Sequence, residues 1–166
     1  MSAPLRRIVT GLDAQGRSCV LIDGPPQPRG GRAGGGGLVW RTATIPAENG
    51  GSEDAVAGLP ADFDPIRSGG SGFMVVELPP TGQPFMHATD TVDYIVMMQG
   101  RVTLVLEAGE VALGPGDLVV DRGVRHGWRN DGPDPAVFAI VFLPAHPLAP
   151  PTAALPNGGE DGGGSE

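Results

Sequence analysis

The residues of this chain whose types and spacing could do chemistry fall in two short segments. In an extended strand alternate side chains share a face, so His87, Thr89, Thr91 and Asp93 line one side if the strand runs from residue 87 onward. Between Gly116 and Asn130 the same alternation places His126, Trp128 and Asn130 together. Imidazole and carboxylate side chains ligate divalent metals, and hydroxyl and amide groups orient small molecules beside them. Two of the three histidines of the chain lie in these segments. The third, His146, stands between Pro144 and Pro147 and reads as a loop residue.

Neighbouring residues take secondary roles. Trp128 either stacks on a flat substrate or fills the core. Tyr94 follows Asp93 and therefore faces the other way, while Met97 and Met98 read as core filling. Arg125 and Arg129 alternate away from His126 and are expected outside. Arg122, beside the glycine turn, is a candidate anion anchor, and Asp117 is expected to cap a Gly-Asp turn. Trp40 and Arg41 reach either the pocket or a subunit interface.

The elements that must position these groups are strands. Segments 5–10 and 18–22 read as two short strands, 38–44 as a third, and 73–78, 91–98, 101–107, 110–113, 117–121, 126–130 and 137–143 as a regular series. Gly and Pro turns separate them and no helical period occurs, which predicts an antiparallel sandwich or barrel. The 28 Gly and 18 Pro make up more than one residue in four, yet they concentrate in 24–37, 50–70 and 147–166. The expected division is therefore N-terminal strands and a Gly-rich loop over 1–45, an irregular loop over 46–72, the barrel over 73–146 and a disordered tail over 147–166.

Composition narrows the partners. The net charge is −8 and no basic stripe exists to neutralise phosphates, so no nucleic-acid partner is expected. The longest apolar run, 137–143, is too short to span a bilayer, and the N-terminal residues lack the apolar core of a signal peptide. Cys19 is the single cysteine and cannot form an internal disulfide, which fits a reducing cytoplasm. All eleven basic residues are arginines, which removes lysine Schiff-base chemistry and the phosphate-loop lysine from consideration.

The two segments resemble the paired motifs of the cupin superfamily. In the first, Gly82 precedes His87, Asp93 stands where a glutamate is usual, and Gly100 closes the motif. In the second, Gly116, Gly123, His126 and Asn130 take the usual places. Thr89 replaces the second histidine of the first motif; the second motif is one residue short and carries Arg122 near its expected proline. The resemblance covers about residues 73–143 and implies an all-β, cupin-type double-stranded β-helix (a jelly-roll barrel) with extra N-terminal strands. Residue by residue it implies one divalent metal, Fe, Zn, Mn or Ni, held by His87, Asp93 and His126 with open positions for substrate. Thr89, Thr91, Trp128, Arg122, Asn130 and Trp40 are the candidate pocket residues, and no catalytic base is identified. It also implies a homodimer in which N-terminal strands pair across subunits and cover sheet edges.

Three functions are consistent with such a site. The first is a redox-neutral lyase, isomerase or cyclase acting on a small organic acid, phenol or polyketide-like compound through a metal-stabilised enolate. The second is a non-haem iron dioxygenase. The third is a non-catalytic small-molecule binder, since fold alone does not fix function.

Overall fold

The computed structural model describes residues 5–28, 36–59 and 69–148. The expectations for the Gly-rich stretch 29–35, for 60–68 and for the tail beyond residue 148 lie outside the described residues.

Among the described residues eleven strands follow one another: β1 (Arg7–Leu12), β2 (Ser18–Gly24), β3 (Gln27–Pro28), β4 (Gly36–Thr42), β5 (Ser71–Leu78), β6 (Thr91–Gln99), β7 (Val102–Leu106), β8 (Gly109–Leu113), β9 (Leu118–Asp121), β10 (His126–Arg129) and β11 (Ala136–Pro144). Six form a sheet in the order β3-β4-β5-β11-β6-β9, three form a sheet in the order β10-β7-β8, and β1 pairs with β2. Every pairing is antiparallel. The all-β, double-stranded β-helix expectation holds. Among the described residues no helix is long and apolar enough to cross a membrane.

The two larger sheets pack face to face because each presents one apolar row inward. Leu38, Met74, Ile95, Met97, Phe138, Ile140 and Phe142 come from the six-stranded sheet, and Val102, Leu104 and Leu113 from the three-stranded one. Burying each such large side chain contributes about 1.5–3 kcal/mol, so this seam is what holds the layers together. Strand alternation corrects one expectation: Met97 is buried at 1% while Met98 is 47% exposed, since consecutive strand residues cannot face the same core. The short β3, inside the expected loop 24–37, is also new; its Pro-rich sequence hides a two-residue pairing with Gly37 and Leu38.

β6 begins at Thr91, where the strand 91–98 was expected to begin; the condition that the extended run starts at residue 87 is not met, because the chain bends at Asp90. His87 pairs instead with His126 as an isolated antiparallel bridge. The Gly-Asp turn behaves as expected, with the Gly114 amide donating to Asp117 Oδ2 at 2.8 Å.

The irregular segment after β4 is tied down at two points. Val56 is fully buried in the core, and Asp54 accepts two bonds from the Arg7 guanidinium, at 3.0 and 2.6 Å. Arg7 itself is buried, so this pair fastens β1 to the segment that follows β4. The Arg7 hydrogen bond holds the Asp54 carboxyl below the usual carboxylate range, against the opposing effect of burial. A lowered folded pKa means stability that is present above the unfolded value, about 3.9, and lost as pH falls through the folded value. Asp54→Asn is expected to cost about 1–3 kcal/mol at neutral pH by leaving Arg7 without its charge partner. Denaturant titrations should show the gap between wild type and variant closing only below about pH 4; a gap that persists unchanged there contradicts the assignment.

Candidate functional site

The site begins with two reciprocal backbone bonds. The His87 amide donates to the His126 carbonyl and the His126 amide to the His87 carbonyl, both at 2.8 Å. A hydrogen-bonded antiparallel pair places both side chains on the same face. The two imidazoles accordingly meet with ring centroids 4.5 Å apart and planes tilted by 52°.

Two glycines make the approach possible. A Cβ at Gly127 would lie 2.8 Å from Met86 Sδ and 2.9 Å from Pro84 Cβ, so only glycine lets the strap before His87 lie on β10. Gly123 has φ +77°, and a Cβ there would stand 2.8 Å from the Thr89 carbonyl oxygen. The positive φ is one that side-chain-bearing residues adopt at a cost.

Each ring is fixed through Nδ1. His87 Nδ1 lies 3.1 Å from the Phe85 carbonyl and His126 Nδ1 lies 3.0 Å from the Val124 carbonyl. A carbonyl only accepts, so both Nδ1 atoms carry a proton, and in the neutral rings both Nε2 atoms keep their lone pairs. His126 has a second partner: Asp121 Oδ2 stands 2.7 Å from Nδ1, with both side chains almost wholly buried. Asp121 is itself held by its turn, where Oδ1 accepts from the amides of Gly123 (2.8 Å) and Val124 (3.1 Å).

The carboxylates divide the charge between them. β6 and β9 put Asp93 directly across from Asp121. Burial pushes the Asp93 carboxyl up and the Asp121 charge adds to this, although the Thr91 hydroxyl and the two histidines oppose it. Asp121 moves the other way: burial would raise it, but the His126 hydrogen bond and charge and the two turn amides bring it down. Burial would lower His126, and the bonds to Asp121 and Val124 overcome that and raise it. The two acids are thus pushed in opposite directions, Asp121 down and Asp93 up. Thr89 and Thr91 hydroxyls meet at 2.8 Å and continue the polar row to Asp93.

For the expected metal, the donor types fit. Two Nε2 lone pairs lie at one barrel mouth, with their Nδ1 protons engaged as ligating histidines require. Asp93 Oδ1 is buried without a hydrogen-bond partner, an orphaned acceptor of the kind a cation satisfies. The enclosure is not complete, however. Among the described residues no group of three or more His, Cys, Asp and Glu side chains stands ready around one point.

The other candidates are placed as follows. Trp128 stands edge-on to His126, with centroids 5.8 Å apart, and stacks on Phe138 at 5.0 Å, joining pocket wall to core. Asn130 spends its side chain on loop closure, donating to the Leu78 and Asp134 carbonyls at 2.9 Å and accepting from the Gly132 amide. Arg122 is exposed. Trp40 does not join the histidines; it lines a separate groove with Ile8, Leu21 and Phe73. Two residues were missed by sequence reasoning. Asp121 was legible as an acid two residues before Gly123 at the end of an apolar strand. Phe85, 77% exposed and stacked on His87 at 5.7 Å, carried no periodic signal.

Residues 74–142 match the family model described as a cupin domain. Phomopsin biosynthesis cluster protein D of Diaporthe leptostromiformis is 36% identical over 135 residues, which cover 75% of this chain and 69% of that protein. The cupin-domain-containing oxidoreductase fogC of Aspergillus ruber is 27% identical over 144 residues, covering 82% of this chain and 71% of that protein. Among solved structures, an RmlC-like cupin family protein with a double-stranded β-helix fold from Methanocaldococcus jannaschii is 22% identical. That match covers 45% of this chain and 70% of the other, with a TM-score of 0.41.

The Asp121 contact gives a direct prediction for metal-free protein. Nitrogen-15 spectra should show His126 as the Nδ1–H tautomer when neutral, and Asp121→Asn should lower its pKa by removing the charge that raises it. An unchanged His126 titration in the variant contradicts the contact.

Proposed function

Because the chain belongs to the cupin superfamily, and its barrel mouth gathers two imidazoles, two carboxyls and two hydroxyls, we propose that it is an enzyme acting on a small organic molecule. The reaction is redox-neutral proton transfer next to a carbonyl, of the lyase, isomerase or cyclase type, on an organic acid, phenol or polyketide-like compound. The observation that carries this reading is the His87–His126 pair, whose Nδ1 protons are both committed and whose Nε2 atoms are both available. The assignment of the similar Diaporthe protein to a biosynthesis cluster supports a small-molecule substrate.

A divalent metal, when bound, would be held by Nε2 of His87, Nε2 of His126 and Oδ1 of Asp93, and would supply Lewis-acid stabilisation of an enolate oxygen. The rest belongs to the chain. Asp121 fixes the His126 ring and balances positive charge beneath it. The Thr89–Thr91 hydroxyl pair offers a hydrogen-bonding row beside Asp93 that would orient polar groups of the substrate. Trp128 closes the inner wall and keeps water from the core side.

A second reading, oxygen-dependent oxidation at the same residues, is favoured by the similarity to the Aspergillus cupin-domain-containing oxidoreductase. Two imidazoles and a carboxylate are also the donor set of non-haem iron oxygenases.

One experiment separates these. Protein freed of metal is offered Fe²⁺, Zn²⁺, Mn²⁺ and Ni²⁺ singly under strict anaerobiosis. Calorimetry is combined with proton NMR of solvent-deuterium exchange into a panel of enolisable keto acids and acyl phenols. The expected result is saturable binding of one ion per chain, lost in His87→Ala and in His126→Ala, and exchange without oxygen that falls at least about a hundredfold in both. Absence of binding for all four ions contradicts the metal assignment. Turnover that requires oxygen overturns the redox-neutral reading in favour of the second.

A further inference from the structure

The strap that leads to His87 carries a large apolar ring into water: Phe85 is 77% exposed. A single apolar side chain on a soluble surface needs no special cause. Phe85 differs in how firmly it is held beside the histidine pair. Its carbonyl lies 3.1 Å from the protonated His87 Nδ1. Its neighbours Pro84 and Met86 lie against β10, where a Cβ at Gly127 would fall 2.9 Å from Pro84 Cβ and 2.8 Å from Met86 Sδ. Pro84 has a fixed φ, which leaves the segment few other conformations. The Phe85 and His87 rings stack, with centroids 5.7 Å apart and planes 20° from parallel. The aromatic row then continues inward, from His87 to His126 at 4.5 Å, from His126 to Trp128 at 5.8 Å and from Trp128 to Phe138 at 5.0 Å. Its inner end, Phe138, belongs to the core, and its outer end is the Phe85 ring in solvent.

We propose that Phe85 is a specificity-determining residue, whose ring is the platform on which an aromatic part of the substrate stacks. This role rests on the proposed function, which brings the substrate's polar group to the two Nε2 atoms. It narrows the substrate from small organic molecules in general to arenes such as acyl phenols. A flat ring makes offset-stacked or edge-to-face contacts with Phe85 that an aliphatic acid cannot make. Because the strap already fixes the platform, stacking requires little further ordering of the protein. The backbone and the ring of Phe85 have separate effects on His87. The carbonyl engages Nδ1, and no change of side chain removes that bond; the ring alone is lost on substitution. Side-chain variants at residue 85 therefore probe the platform without removing the group that fixes the His87 tautomer.

The test uses the full chain, freed of metal and again with Zn²⁺ added, and two probes. One is 2-hydroxyacetophenone, the arene, and the other is pyruvate, the aliphatic acid. Titrations are followed by calorimetry and by NMR of protein with labelled phenylalanine rings. The arene is expected to move the Phe85 ring resonances of the wild type, a result that holds even if a variant fails to fold. In Phe85→Leu and Phe85→Ala the arene Kd should rise about threefold to tenfold, with a smaller change for pyruvate, so that the ratio of the two shifts. Phe85→Tyr, which restores a flat ring, should stay within about twofold of wild type. Phe73→Leu, in the separate groove that Trp40 lines, should keep the wild-type ratio. Unchanged arene binding in Phe85→Leu overturns the proposal, as does an equal loss for both probes. So does a wild type that binds no arene in either form, or Phe85 resonances that follow protein concentration and not the probe. Deuterium exchange into the arene is read separately. Arene binding that depends on Phe85 without exchange counts against the proposed reaction alone, and exchange that ignores residue 85 counts against the platform alone.

Discussion

Two backbone hydrogen bonds, one in each direction between His87 and His126, are the constraint on which the site depends. They tie the strap that precedes β6 to the three-stranded sheet, and they decide that two imidazoles stand on the same side at the mouth of the barrel. Much of the surrounding sequence serves that contact. Gly127 lets the strap come down onto β10, Gly123 lets the preceding turn pass the Thr89 carbonyl, and Asn130 closes the loop that follows. A longer side chain at either glycine would push the strap and the turn apart, and the histidines with them.

Charge at the site is arranged by burial and by neighbours acting in opposite senses on similar groups. Asp93 and Asp121 face each other across one β-ladder, yet one is raised and the other lowered. The difference lies in what each carboxyl touches: Asp121 has two amides and an imidazole, Asp93 has a hydroxyl and an unpartnered oxygen. Environments that push two carboxyls apart in this way are a common means of giving them different roles in one pocket. It also explains why Asp121 matters although it was not among the expected ligands: it sets the tautomer and the basicity of His126.

The barrel was legible because strand alternation and turn chemistry are local properties. The inward placement of Thr91, Asp93, Ile95 and Met97 follows from period two alone, as does the outward placement of Tyr94. Met98 was misread because two adjacent methionines were taken together against that period. The position of His87 was not legible, because a bend at Asp90 that moves a residue from one sheet to another leaves no periodic trace in a loop-like segment. Asn130 was placed on the right strand end, but its amide is consumed by backbone groups that only the closed loop brings near. The fastening of β1 to the segment after β4 through Arg7 and Asp54 depends on a contact 47 residues apart, and nothing in either local sequence announces it.

The central claim is that the imidazoles of His87 and His126 are neighbours in the folded chain before any ligand arrives. With three histidines in the chain, selective labelling of histidine rings makes this directly observable. A nuclear Overhauser effect between the ring protons of His87 and His126 in metal-free protein is the predicted result. A well-dispersed spectrum of folded protein in which those two rings show no mutual contact would contradict the account.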